Sequence, residues 1–248
     1  AEFARYDFVV LGTGPESASH PDHNRTAALL AEPSLAGTFV FGYVTLGVTS
    51  ENLPLDEVRS RIDGWQALGA EGIFFDEFGY DFGVTRERQN AAVEYAHSVG
   101  LPVMANAWQP SHVFGAEPVP EANPDGRPPA LGPGDYYLSE SYFVMAGQVV
   151  PEAARVAKAS QVAAYQSALG FSVMSITTAG PAGYDQGLFF AAWGAAAADG
   201  HLASGWGEYM FSIDGMAPYR ARPRSETPAP PTPPPTPPLS PPHSPAPA

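Results

Sequence analysis

Phe41-Gly42-Tyr43-Val44-Thr45-Leu46-Gly47, a helical stretch over Leu53–Leu68, and then Gly72-Ile73-Phe74-Phe75-Asp76-Glu77: this passage decides how the chain folds. Its two outer segments are apolar runs rather than apolar–polar alternations. A strand needs that pattern when both of its faces are covered, as in a parallel sheet with helices on one side. The segment between them places Leu55, Val58, Ile62 and Trp65 on one face at a period of 3.6, with Pro54 near its start and Gly69 just past its end. Strand, helix and strand in this order form a βαβ unit.

The same alternation extends in both directions. Candidate strands are Tyr6–Leu11, Thr38–Leu46, Gly72–Phe78, Pro102–Ala107, Asp135–Glu140, Phe171–Thr178 and His201–Trp206. Further helices are expected over Thr85–Val99, Pro151–Leu169 and Gln186–Ala198; Gly100 and Gly170 stop the first two. The fold class is therefore α/β, a (β/α)8-type TIM barrel. Seven strands are visible where eight close a barrel, and the eighth is sought at Glu208–Ile213 or before residue 1. An open, doubly wound sheet would show a dinucleotide fingerprint early. Gly12-Thr13-Gly14 begins one, but Ser17 stands where the third glycine belongs, so it reads as a plain turn.

From Pro223 onward the chain is dominated by proline, with almost no side chain able to pack, and an extended polyproline tail or linker is expected over 223–248. Residues 1–222 form the barrel domain. The formal net charge of −14 opposes binding to nucleic acid or an acidic membrane surface and favours a cationic or neutral partner. There is no cysteine, hence no disulfide framework and no thiolate site. No membrane-spanning run is present, and the first residues lack the pattern of a signal peptide. No P-loop, GxSxG elbow or HExxH occurs, and His20-Pro21-Asp22-His23 matches no standard metal site, so no cofactor or metal is expected.

Catalytic groups of such barrels lie at the C-terminal ends of strands. Carboxylates stand at the ends of the third, fifth and seventh strands: Asp76 and Glu77, Glu140, and Glu208. Cleavage of a glycosidic bond uses two facing carboxyl groups, one donating a proton and one acting as nucleophile or base. Asp76 and Glu77 are consecutive, so only one points into the mouth unless the strand is already turning. Glu140 is the opposite partner. Tyr43, Thr45, Tyr80, Asn106, Trp108, Tyr142 and Trp206 are candidate substrate contacts, the aromatic ones as stacking platforms for sugar rings. A strand ending in Asp-Glu also serves unrelated proteins as a helix cap with a surface charge.

The strings Phe41–Gly47 and Gly72–Glu77, with Trp65 on the intervening helix, resemble the spherulation-specific (spherulin 4-like) proteins, barrel glycosidases of glycoside hydrolase family 135, related to family 114. The resemblance covers most of residues 6–145. It implies hydrolysis of galactosamine-containing exopolysaccharides outside the cell, with Asp76, Glu77 and Glu140 in the active site. Such a cationic polymer would complement an acidic cleft. Two turns depart from the family pattern: Leu11–Ser17 replaces an Asn-Pro-x-Ser-Gly-Pro-Gly turn, and Asn106-Ala107-Trp108 replaces Asn-Pro-Gly. Rival expectations are a carbohydrate-binding or adhesion domain without catalysis, and a structural subunit of a surface, filament or phage assembly attached through the proline-rich tail.

Overall fold

The computed structural model describes residues 2–209 and 219–222. The elements in order are β1 (Phe8–Leu11), α1 (His23–Leu30), β2 (Phe39–Thr45), α2 (Leu55–Leu68), β3 (Gly72–Asp76), α3 (Arg86–Ser98), β4 (Val103–Asn106), α4 (Pro110–Phe114), β5 (Tyr136–Glu140), a small hairpin of β6 (Val144–Met145) and β7 (Gln148–Val149), α5 (Glu152–Leu169), β8 (Ser172–Thr178), α6 (Gln186–Ala198) and β9 (Ala203–Gly207). One parallel sheet runs β1-β2-β3-β4-β5-β8-β9. The expected seven strands are all present, with ends shifted by one or two residues, and the α/β barrel class holds. Residues 210–213 of the candidate eighth strand, and the whole of 223–248, lie outside the described residues.

Alternation along each strand sorts the side chains into two cores. Phe41, Phe74, Met104 and Met174 meet Phe8, Tyr136 and Ala203 in the interior enclosed by the curled sheet. Their strand neighbours Ile73, Phe75, Val103, Tyr137 and Val173 face outward and pack with Val58, Ile62 and Trp65 of α2 and Ala92 and Val93 of α3. Trp65 lies against the backbone of β2, and its indole N–H donates to the Tyr43 carbonyl at 3.0 Å. Gly42 makes room for it, because a Cβ there would stand 2.2 Å from the ring.

The loop after β4 is pinned by buried polar groups. Arg86 and Gln89 of α3 are fully enclosed. Arg86 donates to the carbonyls of Val113 and Gly115, and Gln89 donates to those of Phe78 and His112. Removing either would leave carbonyls unpaired in a dry place. α4 is thereby fixed beside the C-terminal end of β4.

β1 and β9 are the two edges of the sheet and do not pair with each other. Tyr219 and Arg220 touch residues flanking both. Tyr219 packs edge-on against Tyr6 at 5.1 Å with Arg5 above its ring at 4.0 Å. Arg220 donates to Glu208 at 3.0 Å and lies 4.0 Å above the Tyr184 ring.

The contact between Gly42 and Trp65 makes a direct prediction. Gly42→Ala forces α2 away from β2, costs about 1–3 kcal/mol and lowers the Tm by several degrees. A thermal melt within error of the parent's would show that Trp65 does not depend on Gly42.

Candidate active site

The inward-facing residues at the C-terminal ends of four adjacent strands converge. β2 contributes Tyr43 and Thr45, β3 Asp76, β4 Asn106 and β5 Glu140. One amide nitrogen joins the two carboxylates: Asn106 Nδ2 donates to Asp76 Oδ1 at 2.9 Å and to Glu140 Oε2 at 3.0 Å. The Tyr43 hydroxyl donates to Asp76 Oδ2 at 2.9 Å, and the Glu77 backbone N–H donates to Asp76 Oδ1 at 2.8 Å. Burial, and after it the Asp76 charge, push the Tyr43 phenol above its usual pKa, so it remains a donor. Among the described residues Asp76 thus receives three donors, whereas Glu140 receives one.

Glu77 does not follow Asp76 into this group. The chain turns at Glu77, whose φ is +53°, and its carboxylate goes to the start of the next loop. It accepts from the Thr45 hydroxyl at 2.9 Å and from the Ser50 hydroxyl. Gly47 is part of that arrangement, since a Cβ there would stand 2.2 Å from Glu77 Oε2. The Asp-Glu pair is therefore split between two tasks, Asp76 in the mouth and Glu77 holding the β2–α2 loop.

Trp108 stands at the rim, 46% exposed, with Lys158 Nζ of α5 5.3 Å from its ring centroid. Lys158 is the only lysine in the chain. Burial pulls its pKa down to about 8, and the Glu140 charge partly opposes that. Neither Lys158 nor Ser50 was among the sequence candidates. Lys158 could have been noticed as the single lysine among basic residues that are otherwise arginine. Tyr80 stacks on His112 at 4.8 Å, beside the loop that Arg86 pins.

Three candidates lie apart from the carboxylate pair. Tyr142 is buried, donates to Asp199, and receives an Arg155 N–H at 3.1 Å. Burial and the hydrogen bond to Asp199 push its phenol up to about 12. Trp206 packs with Phe189 and Ala179 under α6, because it is out of step with the inward-facing positions of β9. Glu208 is paired with Arg220. A further polar groove is lined by Thr13, Glu16, His20, Glu57 and Arg61. There Arg61 is surrounded by Glu16, Glu51 and Glu57. Among the described residues no cluster of three His, Asp or Glu side chains could hold a metal ion, and no helix is long and apolar enough to cross a membrane.

No family model matches the chain, and no curated protein matches it. Solved structures do. The glycoside hydrolase domain of PelA from Pseudomonas aeruginosa overlaps 86% of this chain and 91% of its own, with a TM-score of 0.52 and 13% identity. The fold is a TIM-type barrel like that one. Malate synthase of Haloferax volcanii overlaps almost as well, over 87% of this chain and 69% of its own, with a TM-score of 0.51 and 12% identity. Two different chemistries on equally similar barrels leave the reaction to be argued from side chains. A looser likeness to Aspergillus fumigatus Ega3, solved with galactosamine, has a TM-score of 0.46 at 14% identity over 80% of this chain and 88% of its own. That overlap is too loose to argue from.

Two titrations test this arrangement. Amine acylation of Lys158 at graded pH is expected to reach half its limiting rate near pH 8; a midpoint at 10 or above would mean that the ammonium is well hydrated. His201, 4.5 Å from the Tyr142 ring, has its pKa lowered from 6.5 to about 4 by burial. Between those values the unfolded chain binds a proton that the folded chain does not, so stability falls as pH drops from 6.5 to 4. His201→Asn is expected to flatten the denaturation midpoint across that window, and an unchanged slope would assign the acid sensitivity elsewhere.

Proposed function

We propose that the barrel mouth is the active site of a glycoside hydrolase that cleaves an amino-sugar polysaccharide of the galactosamine type, acting outside the cell as the spherulin 4-like proteins do. One observation carries this reading: carboxylates from β3 and β5 meet on the Asn106 amide. Hydrogen bonds of 2.9 and 3.0 Å from one amide nitrogen keep the two oxygens within about 6 Å of each other. Retaining glycosidases hold their carboxyl groups at about 5–5.5 Å, and inverting ones need more room for a water.

In this mechanism Glu140 carries the proton and Asp76 attacks. Glu140 protonates the glycosidic oxygen as the bond to the anomeric carbon breaks, and an Asp76 oxygen bonds that carbon from the opposite face. Water then displaces Asp76, losing its proton to Glu140, so both carboxyls return to their starting states. The division of roles rests on the three donors that converge on Asp76 against one on Glu140. Tyr43 and Asn106 stabilise the charge on Asp76 as it departs from the sugar. Trp108 offers a flat exposed ring to a neighbouring unit of the polymer. The net charge of −14 attracts a polymer bearing free amines. The likeness to a glycoside hydrolase domain agrees with the proposal without carrying it.

The test is release of reducing ends from a panel of polysaccharides that includes partly deacetylated galactosamine polymer. Asp76→Asn and Glu140→Gln, each shown to be folded, are expected to lower the rate about 100-fold or more, and the first sugar released by the parent keeps its anomeric configuration. Binding without cleavage by the parent would make the barrel a recognition module. Inversion would overturn the assignment of Asp76 as nucleophile.

A further inference from the structure

The mouth is unevenly charged. On the side of β2 and β3 the charges of Asp76, Glu77 and Glu51 all act on the Tyr43 phenol. On the side of β4 and β5, α5 brings the single ammonium of the chain, Lys158. Its Nζ lies 5.3 Å from the centroid of the Trp108 ring. Glu140 is near enough for its charge to oppose the loss of a proton from that ammonium.

Among the described residues Lys158 has no hydrogen-bond acceptor and no ion pair. An ammonium has three N–H donors and holds water strongly. Half-buried against an indole, it gives up part of that water, and the ring replaces no hydrogen bond. Such a group is completed by a ligand that brings an oxygen. Trp108 indicates which oxygen. Its ring is 46% exposed, so an open apolar surface lies beside the unpaired donor. A carbonyl oxygen carried next to a methyl group matches both, and on an amino sugar that group is the acetamide. A free amine in the same place would set ammonium against ammonium with no acceptor between them. Near Asp76, Glu77 and Glu51 the preference is the reverse, because an amine there meets carboxylates.

We infer that Lys158 and Trp108 form a subsite for the acetamido group of an N-acetylated sugar unit. Lys158 donates to the acetyl carbonyl and the methyl packs on Trp108. The polymer then lies with an acetylated unit on the β4–β5 side of the mouth and a free amine on the β2–β3 side. This inference rests on the amino-sugar reading above and adds to it the residue that tells the two kinds of unit apart. Long-range attraction works against the choice, since a net charge of −14 draws an all-amine oligomer more strongly. A preference for the acetylated one must come from local contacts.

The test uses two short galactosamine oligomers, one fully deacetylated and one acetylated on alternate units. Binding to the full chain carrying Asp76→Asn is followed by calorimetry at about pH 6, where Lys158 and the sugar amines are charged. Salt of about 0.15 M screens distant charges. The acetylated oligomer is expected to bind about tenfold more tightly or better. Adding Lys158→Met, which keeps the apolar stem, is expected to bring the two affinities within about twofold, and adding Lys158→Glu to favour the all-amine oligomer. Each variant is checked by its thermal melt, and cleavage of both oligomers by the parent is followed separately. Equal affinities before Lys158 is changed, or a preference that survives Lys158→Met, would overturn the subsite even if the parent cleaves. A Lys158-dependent preference in a parent that cleaves neither oligomer would overturn the hydrolase reading and uphold the subsite. Binding of neither oligomer would overturn both.

Discussion

Two carboxylates that share one amide donor repel each other by about 1–3 kcal/mol when both are charged, depending on how much water reaches them. The Asn106 amide is what makes that proximity tolerable, because one nitrogen donates to both. Its position is fixed twice over. β4 pairs with β3 on one side and β5 on the other, with Asn106 in register with Leu138. The loop after β4 is locked by Arg86 on the Gly115 carbonyl and Gln89 on the His112 carbonyl. The buried polar contacts of α3 therefore serve the mouth by holding the end of the strand that carries the amide.

Most of the fold was legible because strands covered on both faces must be written as apolar runs. Phe39-Val40-Phe41 and Ile73-Phe74-Phe75 allow little else. Boundaries were less legible, since they depend on single contacts. Asp135, expected inside the fifth strand, stops just before it because its carboxylate accepts from the Val103 and Gly132 N–H groups. α1 and the five-residue α4 were missed altogether. α1 has no side-chain cap and no buried residue, and α4 sits within a loop rich in proline and glycine. Neither leaves a periodic signal.

The site was legible in part, for a reason of geometry. Position near the end of a strand can be read from the sequence, but the face on which a side chain emerges requires the register. Asp76, Asn106 and Glu140 share the inward phase of their strands, while Trp206 falls on the opposite phase of β9, between Gly205 and Gly207. Tyr142 comes after Ser141, whose φ is +50°, so alternation is broken just before it. Glu77 is a similar case. A left-handed conformation costs a non-glycine residue about 1–2 kcal/mol, and here it breaks the alternation and directs the second of two adjacent carboxylates onto Thr45 and Ser50. Without that turn, strand alternation would send Glu77 to the outer face of the sheet, away from Thr45 and Ser50.

The shell around the barrel is divided along the same axis as its function. α2 and α3, with their alternating charges, stand behind β2, β3 and β4, which supply Tyr43, Asp76 and Asn106. Across the sheet, α5 presents Lys158 to the rim and α6 is uncharged. The seam between β1 and β9 falls on this second side, where no strand pair ties the edges among the described residues and Tyr219 and Arg220 do so through side chains. A cation–aromatic stack and one ion pair to Glu208 are weak substitutes for a ladder of backbone hydrogen bonds. Stability on that side must then come from burial, and an alanine-rich, uncharged helix is the kind of surface that burial can use. Among the described residues the hydrogen-bond donors to the carboxylate pair come from Tyr43 on β2, Asn106 on β4 and the turn at Glu77, and none comes from this softer side.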